Sequence, residues 1–449
     1  MVRRSWLLCL LGASFVHAQT RLTPAPGGTK RPNLVVLLCD DLGYGDLGCF
    51  GNATIRTPNL DLLATQGMKL TSCYAGMPVC SPSRAALLTG RVCQREGIHD
   101  WIPANSGVQL KREAVTIAKL LKGVGYATGM AGKWHLNSKF EGEPTPGDHG
   151  FEHWFATQNN AAPSHLGPTN FIRNGKPVGP LKGHSSDLLV DEIIAWLRAL
   201  REERPGTPFF AYVPFHAPHE PVAADERFVK LYPGLEPDRA QYCATITQTD
   251  EAIGRLLGTL DALKLSQNTL VFFSSDNGPE TLNRYRTANR SHGSPGALRG
   301  MKLHLYEGGI RVPGLARWPG VVKPNSTNDE PFSFLDLLPT LCDVSGAKAP
   351  RDRALDGANA RALLNGRAIV RKQPLYWQYD KALGEMKFAL RSGDWKLLAS
   401  GDFGKLELYN LKTDPQETAD LANSRPDLVK SLEVELKRLH REVTAIGGK

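Results

Sequence analysis

The stretch Asn33–Asp41, "NLVVLLCDD", is where the fold is decided. Its apolar run is continuous, too short for a globular helix and β-branched at Val35 and Val36, which reads as a strand buried on both faces. It ends abruptly on two adjacent carboxylates, Asp40 and Asp41. Working outward, "TPNLDLLATQG" follows, where Thr57 can cap a helix, Pro58 takes the first helical position and Gly67 ends it. Further short strands read at "YATGMAG", "PFFAYVP" and "NTLVFFSS", with helical stretches between them at Val115 to Leu121, Ser186 to Leu200 and Asp250 to Leu263. Strands alternating with amphipathic helices predict an α/β fold: a mostly parallel sheet covered by helices on both faces.

The pattern changes after about Gly366. "PLYWQYD", "KFALRSG", "WKLLAS" and "LELYNL" read as short strands joined by tight turns, and a helix runs from about Pro426 to Val443. The expected organisation is therefore a large unit over residues 33–366 and a smaller C-terminal antiparallel sheet with a helix over 367–449, packed on the first. Ahead of these, residues 1–18 carry Arg3 and Arg4, an apolar stretch from Trp6 to Val16 and "VHA", the layout of a secretory signal peptide. Its apolar run falls short of the roughly 20 residues that cross a bilayer, so it predicts export without a membrane anchor, to the periplasm or the exterior. A Pro/Gly-rich leader over residues 19–32 follows it.

Composition narrows the function classes. The 54 Lys and Arg against 45 Asp and Glu leave a net charge of +9. The excess is dispersed, with no basic block and no aromatic-rich nucleic-acid motif, so no nucleic acid partner is expected, and an anionic substrate is compatible with the charge. Of the eight cysteines, Cys9 leaves with the signal, so seven remain. An odd number in an oxidising compartment singles one out for another use.

In open parallel sheets ligands bind beyond the carboxyl ends of the strands. Here the strand at Asn33 delivers Asp40 and Asp41, "NTLVFFSS" delivers Asp276 and Asn277, "YATGMAG" delivers Lys133 and His135, and "PFFAYVP" delivers His216 and His219. Asp40, Asp41, Asp276 and Asn277 offer only oxygen donors, which suits calcium or magnesium better than zinc. The stretch "CSPSRAALLTGR", Cys80 to Arg91, places a thiol where a loop enters a helix that Gly90 closes. A helix N-terminus attracts anions and lowers the pKa of such a thiol. Lys302, in "GMKLHLYEGGIRVPG", adds a cation before a rigid turn.

These residues carry a resemblance. "CSPSRAALLTGR" is similar at every fixed position to the sulfatase signature C-x-P-S-R-x-x-x-L-T-G-R, and "PNLVVLLCDDLGYGDLGCFG", "GYATGMAGKWHL", "FHAPHEP", "SSDNG" and "GMKLHLYEGGIRVPG" accompany it in the family's order. Within the sulfatases the likeness is to arylsulfatases and N-acetylgalactosamine-6-sulfatases. The resemblance implies an alkaline-phosphatase-like sheet and hydrolysis of sulfate esters, of a sulfated carbohydrate or an aryl sulfate. It implies that a formylglycine-generating enzyme oxidises Cys80 to Cα-formylglycine during export. One hydroxyl of the hydrated aldehyde then attacks sulfur, the alcohol leaves, and the second hydroxyl expels sulfate. It further implies one calcium ion held by Asp40, Asp41, Asp276 and Asn277 beside the Cys80-derived group. Arg84 would hold the diol, Lys133 and His135 would orient it and the sulfate, and His216 and Lys302 would contact sulfate and assist the leaving oxygen. His216 is preferred to His219 because it matches the family's H-x-P pattern. The region from Gln158 to His184 matches no transferable motif and is expected to shape the substrate pocket. Two other readings remain: a phosphonate monoester or phosphodiester hydrolase with the same nucleophile and metal, and a catalytically silent binder of sulfated glycans in which Cys80 stays unmodified.

Overall fold

The apolar run at Asn33 is a strand, and it lies in the middle of the protein. In the computed structural model, residues 31–281 and 288–445 are described and form one compact unit. The signal peptide and the leader up to residue 30 lie outside them.

The strands are β1 Asn33–Asp40, β2 Met68–Tyr74, β3 Ala127–Lys133, β4 His153–Thr157, β5 Ile172–Arg173, β6 Lys176–Pro177, β7 Phe209–Pro218, β8 Thr269–Ser275, β9 Arg311–Arg317, β10 Ser326–Asn328 and β11 Phe332–Ser333. They join in one sheet of order β10-β2-β9-β8-β1-β7-β3-β4-β5-β6, with β11 also on β2. Its centre, β8-β1-β7-β3-β4, is parallel throughout. The register sets Leu37 between Phe273 and Val213, so β1, β7 and β8 run level.

Side chains of β1 alternate between two cores: Leu34, Val36 and Leu38 enter one, and Val35, Leu37 and Cys39 the other. All are at most 3% exposed, and each fully buried aliphatic side chain contributes about 1.5–3 kcal/mol. Helices Ser185–Glu203 and Pro237–Ala262 cover one face, and helices Cys80–Thr89, Ile117–Gly123 and Leu337–Ser345 the other. A second sheet, β12 Leu375–Gln378, β13 Met386–Ser392, β14 Trp395–Ser400 and β15 Leu406–Asn410, is antiparallel in sequential order, and helix Pro426–Thr444 packs on it. It joins the region of helix Cys80–Thr89 directly: Trp377 Nε1 donates to the Ala75 carbonyl at 3.0 Å, and Ala86 packs in the same cluster as Phe388 and Leu397.

The expected α/β sheet and the small antiparallel sheet are both present, with local differences. Helix Pro237–Ala262 starts well before the expected Asp250, because Pro237 at its start and the Glu236 carboxylate, which accepts from the Asp238 and Arg239 amides, nucleate it upstream. Thr57 does not cap its helix; its hydroxyl accepts from the Gly48 amide at 2.9 Å and donates to Asp61 at 3.1 Å. Strand β7 continues past the expected Pro214 to Pro218.

Candidate active site

Four adjacent parallel strands, β8, β1, β7 and β3, end at one edge of the sheet, and their last residues form the site. Backbone bonds lock the two acidic loops together: the Asp276 amide donates to the Cys39 carbonyl at 3.0 Å, and the Asp41 amide to Asp276 Oδ1 at 3.2 Å. The turns are tight. A Cβ at Gly132 would lie 1.9 Å from the Pro214 carbonyl oxygen, and one at Gly278 would lie 2.0 Å from that of Gly308, so glycine is required just before Lys133 and just after Asn277. Asp41, His135 and Leu303 adopt positive φ of 64°, 53° and 69°. Such backbone is held only where the surroundings over-determine it.

Helix Cys80–Thr89 begins at Cys80 and brings Arg84 inward on its first turn. Arg84 Nε and Nη2 donate to Asp276 Oδ2 at 2.9 and 2.7 Å, Nη1 donates to the Lys133 carbonyl at 2.9 Å, and Asp40 lies 3.6 Å away. Lys133 Nζ donates to Asp40 Oδ2 at 2.6 Å and to Asn160 Oδ1 at 3.0 Å, and lies 3.9 Å from Cys80 Sγ. Lys302 Nζ donates to Asp41 Oδ2 at 2.6 Å, and His219 Nε2 is 3.6 Å from the same oxygen. Cys80 Sγ is 3.5 Å from Asp40 Oδ1. Arg84, Lys133, Asp40, Asp41, Asp276 and Asn277 are all at most 4% exposed.

Burial raises the Asp40 carboxyl, but Lys133, His219, Arg84 and Lys302 hold it well below the usual carboxylate range. Burial and the adjacent Asp40 charge push Asp276 up to about 7 against the pull of Arg84. Burial, aided by the charge of Lys302, lowers His219 to about 4. The Cys80 thiol is raised rather than lowered as its place at a helix start had suggested: at 2% exposure, burial outweighs Lys133 and Lys302. A thiol held protonated is a poor nucleophile.

The donor set fits a hard divalent cation. Three carboxylates meet within hydrogen-bond reach of one another's partners, and Asn277 donates its Nδ2 to Asp41 Oδ1 at 2.7 Å while its Oδ1 is buried without a hydrogen-bond partner. An orphaned amide oxygen beside crowded carboxylates is what an oxygen-ligated ion would satisfy. Ligand atoms of Asp40, Asp41, Cys80 and His219 also lie within 4.8 Å of one another.

All of the expected residues but one converge here. His216 is 1% exposed: its Nε2 is bonded to Thr157 Oγ1 at 2.7 Å, Phe171 packs against its ring, and its Nδ1 has no partner, although the charges of Lys133, Asp40 and Arg84 reach it. The cause is the length of β7: His216 is still a strand residue, and His219 is the first histidine beyond the strand's end. A cavity of about 610 Å3 opens onto the site, lined by Val79, Cys80, His135, His219, Lys302 and Leu303. Asn159 and Asn160 line it too, as expected of the stretch after Gln158. Asp100, Trp101, Tyr379 and Lys381 complete it and had carried no motif. The seven described cysteines are all free, so Cys80 is not half of a disulfide.

Known proteins resemble this chain over most of its length. The family model described as Sulfatase matches residues 32–347, and that described as N-sulphoglucosamine sulphohydrolase, C-terminal, matches 301–442. Human arylsulfatase A is 37% identical over 82% of this chain and 74% of its own length. The N-acetylgalactosamine-6-sulfatase of Sus scrofa is 34% identical over 80% of this chain and 70% of its own. The crystal structure of Ps i-CgsB in complex with k-i-k-neocarrahexaose superimposes with a TM-score of 0.83 at 28% identity, covering 92% of this chain and 93% of that one.

Proposed function

The chain belongs to the sulfatase family and is a sulfatase, and from that premise we propose that it hydrolyses sulfate esters of a carbohydrate through a formylglycine made from Cys80, beside one calcium ion. The observation that carries this reading is the convergence around residue 80 of Asp40, Asp41, Arg84, Lys133, Asp276 and Lys302, all buried, beside one cavity that Cys80 and Lys302 line. A carbohydrate is supported by the hexaose complex of the similar solved structure and by the polar lining of the cavity.

Asp40, Asp41, Asp276 and Asn277 would hold the ion, with the residue 80 side chain next to it. The hydrated aldehyde would supply the attacking hydroxyl, and the ion would supply positive charge that favours its ionised form. Three carboxylates and three fixed cations balance in the bare site, so a bound divalent ion makes it net positive, which suits an anionic ester.

Arg84 keeps its place through Asp276 and the Lys133 carbonyl, so that residue 80 and the acidic loops move as one body. Lys133, between Asp40 and residue 80, orients the nucleophilic hydroxyl and meets a sulfate oxygen. His135 and Lys302 flank the cavity, and Lys302 donates to a further sulfate oxygen. Transfer of a sulfuryl group spreads charge over these oxygens, so donors fixed beforehand lower the barrier. Of the two histidines, His219 lines the cavity through which the alcohol leaves, and His216 does not. Residues 1–18 would direct export to the periplasm or exterior, where substrate and calcium are available; among the described residues no helix is long and apolar enough to cross a membrane.

Two measurements on protein made with a formylglycine-generating enzyme test the reading. Peptide mass spectrometry should find the aldehyde at residue 80, and 4-nitrophenyl sulfate should be turned over in preference to the matching phosphonate and phosphodiester. Active protein with an intact thiol at residue 80, or a marked preference for phosphorus, overturns it.

A further inference from the structure

The cavity is built from two kinds of residue. Cys80, His135, His219 and Lys302 belong to the reacting end. Asp100, Trp101, Tyr379 and Lys381 have no part in the chemistry proposed above, yet they line the same space.

Asp100 poses a problem for a pocket that receives an anion. An ionised carboxylate repels a sulfate ester, and a pocket meant only for the ester group would exclude one. This one is held in place: Asp100 Oδ1 accepts from Tyr379 Oη at 2.8 Å and Oδ2 accepts from Lys381 Nζ at 2.8 Å. Its side chain is only 17% exposed and Tyr379 is buried, whereas Lys381 reaches into solvent. A carboxylate with two partners keeps further lone pairs for hydroxyl donors. Trp101, next in the chain, is 45% exposed and is the only aromatic among the large exposed apolar residues described. It also lines the cavity, with its ring centroid 6.5 Å from that of His135. Across the described residues, no other part of the surface pairs an open aromatic face with a braced carboxylate inside a cavity.

That pairing matches one kind of alcohol. A pyranose ring has an apolar C–H face that stacks on an indole and a rim of hydroxyls that donate to a carboxylate. A sterol or a simple phenol offers no such donors, and burying Asp100 against it would leave its remaining lone pairs without partners. Tyr379 and Lys381 come from the connection that follows β12, whose Leu383 amide also donates to the Leu303 carbonyl at 2.8 Å, next to Lys302. The small sheet therefore reaches the substrate side of the site.

We infer that Asp100 and Trp101, braced by Tyr379 and Lys381, form the subsite that grips the sugar ring bearing the scissile sulfate, and that they select sulfated pyranoses over aryl and steryl sulfates. The inference rests on the reading of residue 80 as the sulfatase nucleophile and extends it to the alcohol half of the ester.

The test compares kcat/KM for a panel of galactose, glucose and their N-acetylamino sugars, each monosulfated at position 3, 4 or 6, with that for 4-nitrophenyl sulfate. D100N should lower the value on the best sugar sulfate by about 10- to 100-fold, mainly through KM, and change that on the aryl ester by no more than about twofold. W101A should lose about tenfold on the sugar and W101F should restore most of it. Y379F, which removes only the brace, should give a smaller loss of the same selective kind, and keeps the question answerable if D100N does not fold. Equal losses on sugar and aryl esters, or no loss on either, overturn the inference. So does a parent enzyme that turns over 4-nitrophenyl sulfate and no sugar sulfate, which leaves the nucleophile reading standing. An enzyme carrying the aldehyde yet inert to every ester overturns that reading, and the inference with it.

Discussion

Among the described residues two networks of buried charge stand out, and they differ in what they open onto. One is the site at the strand ends, with Asp40, Asp41 and Asp276 against Arg84, Lys133 and Lys302. The other ties the small sheet to the turn after Lys302. There Glu307 accepts from Lys396 Nζ at 2.9 Å and from Tyr74 Oη at 2.5 Å, Glu417 takes Lys396 at 2.8 Å, Arg311 lies 3.4 Å from Glu307, and Arg391 donates to Tyr74. In this second cluster Lys396 and Arg311 overcome burial to hold Glu307 at about 2, while burial and the Glu307 charge push Glu417 up to about 7 despite Lys396. Both clusters are as deep as any part of the core. Only the first opens on a large cavity; left-handed backbone occurs in both, at Asp41 and His135 in the first and at Glu417 in the second. Buried charge alone does not mark an active site; buried charge beside a cavity does.

That contrast can be broken by substitution. The largest expected effect is at residue 80: Cys80→Ala should lower 4-nitrophenyl sulfate turnover by about 10^4-fold or more with a melting temperature within a few degrees of the parent. Next, Asp276→Asn should cost at least about 100-fold in turnover and weaken calcium retention after dialysis, read by metal analysis of the folded protein. Unchanged turnover in that variant removes Asp276 from the metal site. Lys396→Met should do the reverse. Stranding Glu307 and Glu417 in the interior should cost about 3–5 kcal/mol in denaturant unfolding, while the molecules that remain folded keep the parent kcat. If Lys396→Met instead lost turnover at full stability, the division between the two clusters would fail.

The smallest effect concerns acid sensitivity. Burial lowers His149 to about 3, below the unfolded value near 6.5, so the unfolded chain takes up this proton first. Its neutral form therefore costs stability as pH falls from about 6.5 toward 3 and costs nothing above. His149→Gln should flatten the slope of unfolding free energy against pH by up to about 1.4 kcal/mol per unit between pH 6 and 4, with little change at pH 8. An unaltered slope would place that histidine's protonation outside the folding equilibrium.

Several parts of the fold were hidden from the sequence for definite reasons. Strand β9, "RVPGLAR", carries Pro313 and Gly314, which mask a strand pattern, and it lies between β2 and β8. The β2–β9 register shifts between Leu70 and Cys73, so Pro313 falls outside the ladder and no hydrogen bond is missed there. The choice between His216 and His219 turned on where β7 ends, and that end is set by pairing of Asp40 with Pro218, which local pattern does not encode. Asp100, Trp101, Tyr379 and Lys381 had no motif because their grouping joins two segments about 280 residues apart.

What the sequence determined by itself was the class of sheet, the polar tip of each central strand and the helix that starts at Cys80. Those rest on local periodicity, on turn chemistry and on a signature whose spacing is one turn of helix from Cys80 to Arg84. Tertiary structure alone decided which histidine faces the cavity, which amide oxygen lacks a partner, and that the small sheet supplies a wall of the pocket. Each of those depends on strand register and on contacts between distant segments, and these are fixed only when the whole chain packs.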